Sequence, residues 1–521
     1  MPRILVTEVI ADAGLDLLRR AGHDVDVATG LSPAELLEAV TGAAALVIRS
    51  ATKVTADVVD AGRDLVVIGR AGIGLDNVDV VAASRRGVIV VNAPQSNVLS
   101  AAEHTLALLL AQARNLPQAH AALVAGRWER SRWEGVELHG KTLGIVGLGR
   151  VGALVAQRAA SFGMRLVAYD PYVSADRARQ MGVTLLALRE VLAQSDFLTI
   201  HLPKTAETAG LIDAALLATA RPGLRIVNAA RGGIVDEGAL ADAIASGRLG
   251  GAALDVFDEE PTTASPLFSL DSVVVTPHLG ASTREAQDKA GVAIAEQVEL
   301  ALRGEFVPFA VNIGVPGAPE AVRVWLPLAE RLGRVWASLV RAIPPVLEVQ
   351  VHGDLADEDT RLLSLAVLKG VISVLTDEPV SYVNAAQLAD ERGLEVRTTS
   401  APARHEYTNL VALRGGEHAV AGTQGAAGEG KVVMVDDHDI ELPLARWMLM
   451  VHNDDRVGMV AAVATILAEA QLNISDLKLG RTGDGRTAMM ALSFSEPVPA
   501  SVVDALRARP GILDAVALAD V

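Results

Sequence analysis

Through the first 280 residues, short apolar runs alternate with amphipathic stretches. Runs at Ile4–Val6, Val25–Val27, Ala45–Ile48, Val66–Ile68 and Val88–Val91 are separated by helical or polar segments such as Ala34–Val40 and Ala56–Gly62. Unbroken apolar runs predict strands covered on both faces, and their alternation with helices predicts a parallel sheet. Ser100–Ala113 is a strongly apolar helix that leads into a second series at Leu143–Val146, Leu166–Tyr169, Phe197–Leu202, Arg225–Ala229, Ala252–Val256 and Ser272–Pro277. Residues 284–303 return to helical periodicity. The next stretch is less regular: helix Val322–Val340, strand Val346–His352, helix Asp359–Leu375, then 406–416 and 431–442 as two arms of a hairpin across a glycine-rich turn. Residues 446–521 read as strand Trp447–His452, helix Gly458–Ala470, strand Ile474–Arg481, a Gly483-Asp484-Gly485 turn, strand Thr487–Phe494, helix Ala500–Arg509 and strand Leu513–Leu518. That βαββαβ order predicts a ferredoxin-like unit, with an open sheet edge that pairing between subunits would cover.

One junction in the second series carries chemistry. The run Leu143–Val146 feeds Gly147-x-Gly149-x-x-Gly152, a helical pattern follows (Val151, Leu154, Val155, Ala159, Phe162), and the run Leu166–Tyr169 ends on Asp170. Strand, glycine turn, helix, strand and acid is the order that dinucleotide binding requires. The glycines allow a tight turn, close approach to pyrophosphate and close packing of helix on strand. The free N–H groups of the helix start face the phosphates. Asp170 accepts bonds from the adenosine ribose and would repel a 2′-phosphate, so NAD is favoured over NADP.

Composition narrows the partners. The chain has 521 residues, enough for about three or four domains. Half of them are hydrophobic and only 3% aromatic, so the cores are aliphatic. No apolar stretch reaches the length of a membrane span, and the N-terminus is not that of a signal peptide. The absence of cysteine excludes disulfides, thiolate metal sites and a cysteine nucleophile; no metal is expected. A net charge of −17 argues against nucleic acid and means that an anionic substrate needs a local cluster of basic groups. A soluble, cytoplasmic protein is the expectation.

Ligands reach parallel sheets at the carboxyl ends of their strands. In the first series those ends read Arg49-Ser50-Ala-Thr-Lys53, Arg70-Ala-Gly-Ile-Gly74 and Asn92-Ala-Pro-Gln-Ser-Asn97. Arg49 and Lys53 offer charge, Gly74 an unobstructed N–H, and Asn97 both a donor and an acceptor. In the second series the ends are HLPKT (201–205), NAARGG (228–233), DVFDEEP (255–261) and TPHLG (276–280). Arg231, Glu260 and His278 are the parts that oxidation of an alcohol needs: a base for the hydroxyl proton, a carboxylate to fix its tautomer, and a planar cation for a carboxylate or carbonyl. His104 reads as a packed core histidine. Trp128, Arg132 and Trp133 mark either an arm against a partner subunit or an anchored surface loop. Lys431 reads as solvated, the alternative being a second anion site.

GLGRVG, HLPKT, NAARGGIVDEGAL and DVFDEEP…TPHLG together resemble the D-isomer-specific 2-hydroxyacid dehydrogenases. The tail resembles the long forms of the branch that acts on 3-phosphoglycerate. The resemblance implies an α/β architecture: a Rossmann-type NAD domain (99–283) inserted in a split flavodoxin-like substrate domain (1–98 and 284–312). An α+β intervening domain (313–445) and an ACT regulatory domain (446–521) follow. It implies Arg231, Glu260 and His278 as the catalytic trio, Arg150 and Val151 at the pyrophosphate, and Ala229, Ala230, Arg231, Asp255 and His278, Leu279, Gly280 and Ala281 on the nicotinamide side. Arg49, Ser50, Lys53, Gly74 and Asn97 are the expected substrate contacts, with Arg132 reaching a neighbouring subunit of a homotetramer. In ACT domains of this family an amino acid is held by the loop after the first strand and the start of the second. Here these supply Asn453, Asp455 and Asn473, with L-serine the expected effector. The alternative for Asp455 is a cap on the following helix. The loop has Val457 where the family has proline.

Overall fold

The computed structural model describes residues 1–315, 319–340, 342–403, 407–425, 428–482 and 485–521. Four sheets follow one another along the chain. The first contains β1 (Arg3–Val6), β2 (Asp24–Val27), β3 (Ala45–Ile48), β4 (Val67–Arg70) and β5 (Ile89–Asn92), all parallel in the order β2-β1-β3-β4-β5. Ile4, Leu46 and Ile68 are fully buried, as expected of strands sandwiched between helices.

The chain leaves this sheet by a connecting helix, Val98–Ala113, and builds the second. Its strands are β6 (Thr142–Val146), β7 (Arg165–Tyr169), β8 (Thr184–Leu185), β9 (Phe197–Ile200), β10 (Arg225–Asn228), β11 (Gly251–Leu254) and β12 (Val273–Val275). The order β12-β11-β10-β9-β6-β7-β8 is parallel throughout and reverses direction beside β6, at the glycine turn. β8, only two residues long, has too little apolar pattern to be legible in the sequence. A return helix, Arg284–Leu302, capped by the Thr283 hydroxyl, carries the chain back. Its Ala290, Ile294, Ala295 and Val298 join Ile4, Val6 and Val67 in the core of the first sheet.

The third sheet corrects an expectation. Residues 406–416 do not pair with 431–442; Glu406 itself lies outside the described residues. The strands β13 (Val346–Gly353), β14 (Glu395–Ala401), β15 (Asn409–Gly415), β16 (His418–Gln424), β17 (Gly430–Val435) and β18 (His438–Pro443) run in the order β14-β13-β15-β16-β17-β18. β15 therefore turns into β16, and β17 into β18, as two tight hairpins. Gly416 (φ +61°) opens the first turn, while Asp436 and Asp437 (φ +47° and +61°) form the second, as two-residue hairpin loops require. β16, HAVAGTQ, is built largely of small residues and gives little strand signal. The helix expected over 322–340 is split into Glu320–Arg323 and Leu326–Leu339, with Pro327 in the first turn of the second piece.

The fourth sheet has the expected βαββαβ chain order: β19 (Trp447–Asp454), β20 (Ile474–Arg481), β21 (Thr487–Phe494) and β22 (Ile512–Ala519), arranged β20-β21-β19-β22. Gly483 and Asp484 of the expected turn lie outside the described residues. β20, on the outside, meets β18 of the same chain: a Cβ at Gly480 would stand 2.5 Å from the Asp439 carbonyl oxygen. His438 bonds Thr487 across the same junction at 3.2 Å. Among the described residues no helix is long and apolar enough to cross a membrane.

Candidate active site

The carboxyl ends of the first two sheets face each other across a cleft of about 740 Å³. On the side of the second sheet, each glycine of the turn has its own reason. Gly147 has φ +96°, and a Cβ there would meet the His201 carbonyl oxygen at 2.7 Å. At Gly152 a Cβ would lie 2.1 Å from the Gly147 carbonyl oxygen, so helix and turn pack backbone to backbone. At Gly149 it would meet nothing within 4 Å. No protein atom demands glycine there; the open space is where a pyrophosphate fits against the N–H groups of the helix Arg150–Ser161. Asp170 ties this region together by accepting from Leu148 N (2.8 Å), Tyr172 N (2.9 Å) and Val173 N (3.1 Å). His201, which bonds Thr199, is pushed down to about 4 by burial and so stays neutral beneath the turn.

At the opposite strand ends, His278 Nδ1 lies 2.5 Å from Glu260 Oε2, and Glu260 Oε1 accepts from Phe257 N at 2.9 Å. Burial alone would raise the Glu260 pKa. The bonds from His278 and Phe257 outweigh it and hold the carboxyl below its usual range. His278 is half exposed and sits at φ +54°, a left-handed conformation uncommon outside glycine. Asp255 corrects the sequence reading. It is fully buried and is not on the cleft wall; its carboxylate accepts from Thr276 Oγ1 (2.6 Å), Leu279 N (2.7 Å) and Gly280 N (2.8 Å). Its work is to hold the loop on both sides of His278. His104, read from the sequence as core packing, is part of this network, with Nε2 3.1 Å from Asp255 Oδ1.

Arg231 extends from β10 toward the first sheet, its Nε 3.6 Å from Asp76 Oδ2. Gly74 makes the approach possible, since a Cβ there would stand 2.6 Å from a terminal nitrogen of Arg231. Arg49, Ser50, Gly74 and Asn97 all line the cleft, and Asn97 Oδ1 is buried without a partner. Arg70 joins them. Its Nε is buried and unpartnered, and its pKa is lowered by burial and by the neighbouring Arg231, against which Asp76 and Glu8 act. Glu8 shapes this wall by accepting from Arg49 N, Ala51 N and Thr52 N at 2.8–3.1 Å, and the Asn77 amide donates to the Arg49 and Thr52 carbonyls. Two expected contacts lie elsewhere. Lys53 is off the cleft wall, because the strand-end loop turns away after Ala51. Arg132 pairs with Asp271 at 2.5 Å and stacks over Trp133, outside this chain's own cleft.

In the fourth sheet Asn453 and Asp455 line a smaller cavity of about 340 Å³, with Arg456, Val457, Gly458 and Arg481. Asn453 Oδ1 is buried and unpartnered. Asp455 pairs with Arg481 at 3.2 Å and does not cap the following helix, which begins after Gly458 with no side-chain cap. Asn473 is exposed and outside this cavity. Lys431, in the third sheet, is paired with Glu441 (3.0 Å) and Glu429 (3.6 Å).

Fold and cleft define the class, an NAD-dependent oxidoreductase. Residues 106–280 match the profile of the D-isomer specific 2-hydroxyacid dehydrogenase NAD binding domain, 321–436 that of the D-3-phosphoglycerate dehydrogenase intervening domain, and 447–511 that of the ACT domain. The sequence is 47% identical over 516 residues to a D-3-phosphoglycerate dehydrogenase of Mycobacterium tuberculosis (strain ATCC 25618 / H37Rv), spanning 98% of this chain and 97% of the relative. It is 42% identical over 522 residues to one of Synechocystis sp., spanning 99% and 94%. Among solved structures, the TT0316 protein of Thermus thermophilus is similar at a TM-score of 0.56 and 37% identity, over 59% of this chain and 99% of that one. The chain belongs to the D-3-phosphoglycerate dehydrogenase family.

The sequence reading makes Asp170 both the ribose acceptor and the charge that opposes a 2′-phosphate. Asp170→Ala is expected to weaken NADH binding by about 10- to 100-fold, the worth of a charged hydrogen bond, and to weaken NADPH binding less. Fluorescence titration of both cofactors checks this; an unchanged ratio of the two affinities would move the ribose contact elsewhere.

Proposed function

We propose that the chain oxidises 3-phospho-D-glycerate to 3-phosphohydroxypyruvate with NAD, the step that opens L-serine synthesis, under feedback control by L-serine. The observation that carries this reading is the convergence of Arg49, Arg70 and Arg231 on one cleft, opposite the His278–Glu260 pair, in a chain of net charge −17. Such a cluster suits a substrate with a carboxylate at one end and a phosphate at the other.

In this reading residues 1–98 and 284–312 bind substrate, 99–283 bind NAD, 313–445 intervene and 446–521 regulate. Gly147, Gly149, Arg150, Val151 and Gly152 hold the pyrophosphate, Asp170 the ribose, and Ala229, Ala230, Arg231 and His278 to Ala281 the nicotinamide side, with Asp255 acting through the loop it holds. When bound, NAD supplies the acceptor for the hydride. Because Glu260 engages His278 Nδ1, that nitrogen carries the proton it shares, and Nε2 is left as the acceptor for the substrate hydroxyl proton. Glu260 then offsets the charge of the imidazolium. Arg231 grips the carboxylate, while Arg49 and Arg70, with Ser50, Gly74 and Asn97, receive the phosphate end. Arg132 would serve a neighbouring subunit's cleft in a cytoplasmic homotetramer. Asp455 takes the ammonium group of L-serine, and Asn453 with a partner's Asn473 its remaining polar atoms.

A panel of 2-hydroxy and 2-oxo acids with NAD or NADH tests the substrate, and a better kcat/KM on an unphosphorylated acid would overturn it. His278→Ala is expected to lower turnover by about 10²-fold or more, with NADH binding retained. Glu260→Gln is milder. It removes the anion that favours the imidazolium, so the acidic limb of the rate–pH profile moves to lower pH. In the native chain the Glu260 carboxyl is held below its usual range, so the pair's contribution is present above that range and lost as pH falls through the lowered value.

Neutralising Arg49 or Arg70 (to Gln) should raise KM about 10-fold or more for the phosphorylated substrate, and less for an unphosphorylated one; equal effects on both would mark a structural role.

Titration with L-serine should inhibit the wild type and not Asn473→Ala. Inhibition requires that serine bind two states unequally. Millimolar L-serine that neither inhibits nor raises the thermal transition would remove it as the effector.

A further inference from the structure

We infer that Ser100 and His104, one turn apart on the connecting helix, are positioning residues that clamp the two ends of the loop carrying His278. The inference rests on the reading of His278 as the base. The loop runs from Thr276 to Thr283. At its start, His104 Nε2 lies 3.1 Å from both Thr276 Oγ1 and Asp255 Oδ1. At its end, Ser100 Oγ and Thr283 Oγ1 are 2.7 Å apart. Residues four apart share one face of a helix, so a single helical face grips the loop on both sides of His278.

The energetics make this grip consequential. Asp255 is fully buried, and a buried carboxylate must be satisfied by donors. Oδ1 receives Thr276 O–H, Leu279 N–H and His104; Oδ2 receives Gly280 N–H. The His278 N–H donates to the Asp255 carbonyl at 2.8 Å. His278 is thus held at φ +54° by bonds on either side, and such a conformation persists only where its surroundings over-determine it. Removing the imidazole donor from Asp255 loosens the set that fixes the His278 ring over the cleft.

The same helix reaches the other wall. It starts at Val98, directly after Ser96 and Asn97, which line the cleft, and it is one of the two connections between the sheets. Ser100 and His104 thus lie three and seven residues past the cleft-lining Asn97 on one continuous stretch of chain. The two residues tie the geometry of the base to the geometry of the substrate wall.

The test uses the full-length protein with His104→Leu, His104→Gln, Ser100→Ala and His278→Ala, measuring kcat, KM, NADH affinity and the thermal transition. His104→Leu should lower kcat about 10- to 100-fold, the scale of a misplaced reacting group, while NADH affinity stays within about twofold. His104→Gln, whose amide can donate to Asp255, should recover kcat to within about threefold of the wild type. Ser100→Ala should lower kcat about 2- to 10-fold, as loss of one hydrogen bond would, and it carries the test if His104→Leu does not fold. Wild-type kcat in the Leu and Ala variants overturns the inference. So does a loss in His104→Leu that Gln does not rescue and that a fall in NADH affinity matches, which marks a structural role. Near-normal turnover of His278→Ala would overturn the base assignment and this inference with it. A dead His278→Ala beside an unimpaired His104→Leu overturns the inference alone.

Discussion

The chain passes between its two parallel sheets twice, outward by the connecting helix after β5 and back by the return helix after β12. Both crossings leave from the carboxyl ends of strands, so both sheets are obliged to present those ends to a common space. Parallel strands place their loops, and hence their polar residues, at that end. The cleft is therefore a product of connectivity, and the side chains found in it come from strand ends that are far apart in sequence.

Behind the cleft walls the same device recurs. Glu8, Asp170 and Asp255 each accept at least two main-chain N–H bonds from a loop. Charge-assisted bonds of this kind are stronger than neutral ones, and they fix loop backbone without using apolar surface. One carboxylate shapes the cleft wall at Arg49, one the glycine turn and one the His278 loop. Arg231 is accommodated in the cleft by contrast through close backbone approach at Gly74.

Much of this was legible from residue order. The glycine turn announces itself because Gly147 and Gly152 answer local constraints of a strand–turn–helix, while Gly149 leaves open the space between them. Glu260 and His278 stood out because each follows an apolar run that can only be a strand. Arg70 was within a motif singled out for its glycine, and nothing local distinguishes an arginine turned into a cleft from one in solvent. Glu8, Asn77 and His104 were not legible at all: their partners lie 41, 28 and 151 residues away, and such pairings leave no periodicity. Asp255 was legible as an acid at a strand end, but not its burial, which depends on a loop folding over it. The misread hairpin of the third sheet has a similar cause, since β16 is too poor in large apolar residues to be seen between its neighbours.

The discontinuity of the first sheet has a consequence for synthesis. Ile4, Val6 and Val67 share their core with Ala290, Ile294 and Val298 of the return helix. Those residues emerge roughly 200 positions after the connecting helix begins. At about 5–20 residues per second, that interval is roughly 10–40 s. During it the nascent sheet has one apolar face that its own helix Asp12–Arg20 covers only in part, through Leu15 and Leu18, and the 99–283 segment is completed only as the interval ends. The first sheet therefore begins early and closes late, and until the return helix Arg284–Leu302 arrives its part-covered face is exposed apolar surface of the kind that favours aggregation.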